Sequence, residues 1–239
     1  MQPPSISLDV RQIPVLLRGE SEPINAWIER WNTRHVLLYI AVIVLGTGVY
    51  GAAMGCWRAP LQAFYTEIKL PLIILLTTLG NALLNGVLAP LLGLNLRFRQ
   101  TSLAILMSFT IAAAILGAFS PIMFFLVCNT PALSPQAGES LTAFSFIQLA
   151  HVAFIAFAGV VANLRLVQLL RRLSGSAVVA RKVLFAWLAG NLFLGSQLAW
   201  ILRPFIGSPV LPLQFLRPNA FDGNFYETVF RSAAHLLSH

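Results

Sequence analysis

Five long stretches of the amino-acid sequence contain no Asp, Glu, Lys or Arg: those between His35 and Arg58, Lys69 and Arg97, Arg99 and Glu139, Glu139 and Arg165, and Lys182 and Arg203. A helix rises 1.5 Å per residue, so about 20 apolar residues cross a hydrocarbon core of roughly 30 Å. Charged residues make up 10% of the chain and hydrophobic ones 57%, whereas about 25% charged is usual in a soluble domain. Too few charges remain to cover a water-facing surface, and those present cluster between the apolar runs. The expected fold is therefore an all-α polytopic bundle. Its spans are expected at Val36–Met54, Leu70–Ala89, Ser102–Val127, Leu141–Leu164 and Val183–Leu202, flanked by segments 1–35 and 204–239.

The 16 Lys and Arg residues are unevenly placed. The N-terminal segment, the 2–3 connection and the 4–5 connection hold most of them, including Arg97, Arg99, Arg165, Arg171, Arg172, Arg181 and Lys182. The positive-inside rule then puts the N-terminus in the cytoplasm and the C-terminus outside, an arrangement expected in a cell inner membrane. The first apolar run begins well behind a polar stretch, so span one is expected to be a retained signal-anchor. The formal net charge of +8 suits contact with anionic lipid. Nucleic acid is not an expected partner, because no basic run with interleaved aromatics could track a phosphate backbone.

Both flanks are expected to lie at the membrane surface. Residues 1–20, with Pro3, Pro4 and Pro14, read as irregular; Ile24, Trp27, Ile28 and Trp31 then share one helical face, suited to the headgroup region or to docking a partner. At the other end Pro204, Pro209, Pro212 and Pro218 rule out a sixth span, and a last amphipathic helix is expected over about Gly223–Leu237. The two cysteines, Cys56 and Cys128, are expected near the outer ends of their spans, as inert thiols or as a disulfide.

Gly51 and Gly55 form a small-xxx-small pair in span one, where helix backbones can approach closely. Within the apolar runs the candidate polar cluster is Asn81, Asn85, Gln148, His151, Asn191 and Gln197. His151 could relay a proton or hold a ligand, or could be a neutral imidazole bonded to an Asn or Gln across a helix interface. Residues 56–69 read as a short connection, and no Asp, Glu, Lys or Arg lies deep inside any expected span, which argues against ion-coupled machinery. Trp200, Arg203 and Arg217 are candidates for contact with an anionic headgroup or a partner's carboxylate. No metal, haem or nucleotide motif occurs, and neither Ser145 nor Ser196 stands in G-x-S-x-G, so no cofactor and no enzymatic activity is expected.

The Gly48-Val49-Tyr50-Gly51 segment, the Lys69-Leu70-Pro71 start of span two and the five-span count resemble the Yip1-type superfamily of five-span membrane proteins over about residues 40–200. The acidic N-terminal motif of that family has no counterpart here, so its trafficking role is not carried over. The stretch Trp200-Ile201-Leu202-Arg203-Pro204-Phe205 also resembles uncharacterised bacterial multi-pass membrane proteins. The resulting expectation is a non-enzymatic protein that organises or partners other membrane proteins in the lipid bilayer, or else a permease or channel for a small neutral solute.

Overall fold

A computed structural model describes residues 9–30, 32–131, 137–207 and 211–227. The chain is all-α, with helices α1 (Gln12–Arg18), α2 (Ser21–Glu29), α3 (Thr33–Gly55), α4 (Pro60–Leu91), α5 (Phe98–Asn129), α6 (Ala137–Ser174) and α7 (Ala177–Ile201). Helices α3 to α7 are long and apolar enough to cross a membrane, matching the five expected spans one for one.

Their ends differ from the apolar runs, because a run reports where lipid is and not where the hydrogen-bonded helix stops. The largest difference is in α4, which starts ten residues before the expected span. Pro60 occupies the start of the helix, the position where a missing N–H costs least. Glu67 and Lys69 are good helix formers and continue it. Pro71, expected in the first turn, therefore lies well inside α4, while Pro90 stands in its last turn. The expected connection over residues 56–69 is thus mostly helix, and Glu67 and Lys69 belong to the first part of α4, before its charge-free run. At its other end α6 continues past the apolar run through Arg171 and Arg172, as expected, until Gly175 turns the chain with a positive φ of 63°.

Helix α3 packs against α4 and α5, which also touch one another; α6 lies on α5, α7 on α4, and α6 touches α7. The glycines of α3 make this possible. A Cβ on Gly51 would stand 2.6 Å from the Thr66 carbonyl oxygen, and one on Gly55 would stand 2.7 Å from the Ala63 Cα, so the small-residue face of α3 is used within the chain, against α4. Of the most apolar 18-residue stretch in each helix, 44%, 39% and 33% is buried in α3, α4 and α5, against 11% in α6 and 17% in α7. Three helices form a core and two hang on its edge.

The expected irregular N-terminus includes helix α1, with Pro14 in its first turn and Gly19 closing it in the left-handed region. Helices α1 and α2 both pack on α5. Ile24 and Ile28 are buried there, so the amphipathic face meets protein instead of headgroups; Trp31 lies outside the described residues. Beyond α7 no spanning helix follows among the described residues. Residues 225–227 are helical, Gly223 and Asn224 stand before the helix, and residues 228–237 of the expected C-terminal helix lie outside the described residues.

Candidate functional site: a polar face of α4

One face of α4 carries Gln62, Thr66, Lys69, Thr77, Asn81 and Asn85, all between 0% and 3% exposed. Their spacing of three, four or eight residues keeps them close to one stripe. From Gln62 to Asn85 the stripe rises about 35 Å, comparable to a hydrocarbon core. It faces α7 and the segment that follows it.

The three asparagines come together. The Asn85 side-chain amide donates to the Asn81 side-chain oxygen, and the Asn81 amide in turn donates to the side-chain oxygen of Asn191 on α7. Asn81 also reaches the Trp187 carbonyl at 3.5 Å, and Asn85 donates to the Asn81 carbonyl at 3.1 Å. Gly190 of α7 permits the approach, since a Cβ there would stand 2.8 Å from the Asn81 oxygen. Three polar atoms along this seam, Asn85 Oδ1, Thr77 Oγ1 and Trp187 Nε1, are buried without a partner among the described residues.

Nearer the start of α4, three side chains spaced i, i+4 and i+7 hold the chain just after α7. Gln62 Nε2 donates to the carbonyls of Pro204 (3.1 Å) and Phe205 (2.8 Å). Thr66 Oγ1 donates to the Phe205 carbonyl, and Lys69 Nζ to the Pro204 carbonyl at 2.9 Å. Lys69 is fully buried and ringed by aromatic faces, with its ammonium 4.9 Å from the Phe215 centroid and 5.9 Å from those of Tyr65 and Phe205. Carbonyl and ring faces supply the negative potential that a buried cation needs. The sequence reading passed over this anchor because residues 56–69 looked like a connection. The available signal was the helical spacing of Gln62, Thr66 and Lys69.

No family model, no curated protein and no solved structure matches the chain. The Yip1-type resemblance therefore has no match behind it, and the site must be read from its own geometry.

The other expected residues scatter. Gln148 is exposed on α6 and joins no cluster. His151 meets Tyr50 of α3, Nδ1 to hydroxyl at 3.1 Å with the rings stacked, so its partner is a phenol and not the expected amide. Gln197 is half-buried and makes no hydrogen bond to Asn81, Asn85 or Asn191 among the described residues. Trp200 and Arg203 are joined, with the guanidinium 3.6 Å from the indole centroid. Arg203 donates through its two Nη groups to the carbonyls of Trp200 (2.6 Å), Ala220 (3.2 Å) and Asn219 (3.1 Å), its buried Nε has no partner among the described residues, and Trp200 Nε1 donates to the Asp222 carbonyl at 3.1 Å. This fork closes a loop of its own chain, leaving little of it for a headgroup. Arg217 is half-buried and close enough to Lys69 and Arg203 to repel both. Partial burial and that repulsion hold the Arg203 guanidinium below its ordinary range, against the pull of Asp222.

Cys56 and Cys128 are free and exposed. Partial burial, and then neighbouring Cys128, push the Cys56 thiol above its ordinary value. Among the described residues no group of three His, Cys, Asp or Glu could hold a metal ion.

Proposed function

We propose that this multi-pass membrane protein is a non-enzymatic organiser of a membrane assembly, with the bilayer and other membrane proteins as its partners. One observation carries the reading. Several polar side chains of the helices form internal joints, Asn85 to Asn81 to Asn191, Tyr50 to His151, and Lys69 to Pro204. The wide apolar faces of α6 and α7 stay open, with Phe146, Leu149, Phe157, Phe185, Leu192 and Phe193 all more than half exposed. Hydrogen bonds of this kind hold spanning helices together where no hydrophobic effect does. An open apolar face in a bilayer is available to lipid or to a neighbouring helix.

Gentle purification from the native membrane, with photo-crosslinking residues at Phe157 and Phe185, tests the reading. The expected result is a defined protein partner crosslinked from both positions. Repeated isolation as a lone monomer crosslinked to lipid alone would overturn it.

A second reading, a permease for a small neutral solute, is favoured by the unpartnered Asn85 Oδ1, Thr77 Oγ1 and Trp187 Nε1 along the α4–α7 seam. Those atoms could serve a passing hydrogen-bonding molecule. Osmotic swelling of proteoliposomes in glycerol or urea separates the two. A permease loses flux on Asn85→Leu at unchanged reconstitution, whereas an organiser shows no flux above empty vesicles.

A further inference from the structure

We infer that the groove between α3 and α4 binds a phospholipid with a primary-ammonium headgroup, and that Glu67 is the partner of that ammonium. The groove encloses about 420 Å³. Its walls are apolar, with Val44, Leu45 and Val49 from α3 and Phe64, Ile68 and Leu72 from α4. All six are exposed, so the groove opens to the surroundings of the bundle and not into its core.

Glu67 is the one charged residue lining it. Among the described residues it forms no ion pair. Lys69, two residues on, lies about 200° around the helix and is committed to the Pro204 carbonyl. A second acceptor, the Glu67 backbone carbonyl, lies at the Gly48 wall of the same groove. Pro71 has no N–H to give to the carbonyl four residues back, which is that of Glu67. This carbonyl lies against Gly48, where a Cβ would stand 3.4 Å from the oxygen and 3.7 Å from Glu67 Cγ. A groove that offers a carboxylate and a carbonyl relieved of its helical donor suits an ammonium with three N–H groups, and suits a quaternary ammonium, which has none, less well.

The placement fits a lipid. Glu67 stands three residues before Leu70, where the charge-free run of α4 begins, so it lies at headgroup level with its side chain tilted toward the helix N-terminus and away from the hydrocarbon. The groove continues to Leu75, about 12 Å deeper along the helix, and so can seat the upper part of an acyl chain.

The test is native mass spectrometry of the full chain in micelles containing equal amounts of phosphatidylethanolamine, phosphatidylcholine and phosphatidylglycerol. Wild type is expected to retain phosphatidylethanolamine about fivefold over the other two, the scale of one charge-assisted bond at a partly exposed site. Glu67→Gln should abolish that preference. Val49→Trp, at an exposed position, should lower retention of all three by filling the groove; Glu67→Asp should keep part of the preference, and circular dichroism checks that each variant is folded. Equal retention by wild type, or an undiminished preference in folded Glu67→Gln, overturns the assignment. So does a dimer or a bound helix in the mass spectrum that Glu67→Gln releases, because the carboxylate would then serve a protein cation.

Discussion

Lys69 shows how one side chain changes the reading of the whole chain. As the last charge before an apolar run it looked like a topological marker; buried among Tyr65, Phe205 and Phe215 it anchors the chain after α7. Removing such an anchor leaves carbonyls buried and unpaired, at a cost of about 1–3 kcal/mol each. Gln62→Ala and Lys69→Ala should therefore each lower the thermal midpoint in detergent. Both should also speed proteolysis within residues 211–227, while Arg18→Ala, at an exposed ion pair, changes neither. Cys56 provides a pH readout. Its thiol is raised by burial and by Cys128, so less of the reactive thiolate exists at neutral pH than in an ordinary thiol. Alkylation of Cys56 by iodoacetamide should reach half-maximal rate at higher pH than a free cysteine, and Cys128→Ser should bring that midpoint down by removing one of the two causes.

At the scale of elements, α4 joins the core to the edge. Asn81 both accepts from Asn85 and donates to Asn191, so Asn81→Leu takes a side-chain partner from two amides and Asn191→Leu from one. In SDS-induced unfolding, Asn191→Leu should cost about 1 kcal/mol, the usual scale for interhelical hydrogen bonds, and Asn81→Leu clearly more; equal effects would mean the three amides do not act as a chain. Much of this is legible in the sequence. Asn81, Asn85 and Asn191 stood out as amides in apolar runs, and those runs located all five spans. Helix ends were not legible, since charge marks the lipid boundary while hydrogen bonding sets the helix, and α4 begins ten residues beyond it. The facing of Gln148 was equally hidden, because an exposed polar residue and an interfacial one look alike in a run of that composition. His151 was identified as interfacial, but Tyr50 is an aromatic that belongs in any apolar run and gave no sign of being its partner.

At the scale of the molecule, the described residues form a three-helix core with two helices attached at its edge, all five long and apolar enough to cross a membrane. A reporter fused after His239 should be active only outside the cytoplasm, and one fused before Met1 only within it, as the distribution of Arg and Lys requires. Activity of both fusions in one compartment would mean that one of the five helices does not cross.

The joint between α4 and the end of α7 also sets an order of events during synthesis. It links residues separated by 135 to 143 positions, and chains grow at roughly 5–20 residues per second. For roughly 5 to 30 s after α4 emerges, Gln62, Thr66, Lys69, Asn81 and Asn85 have no α7 to meet. During that interval the polar stripe of α4 must be shielded by the insertion machinery or by transient neighbours. A chain that stops after α6 never gains its missing partner, and its permanently unsatisfied face is what membrane quality control is equipped to find.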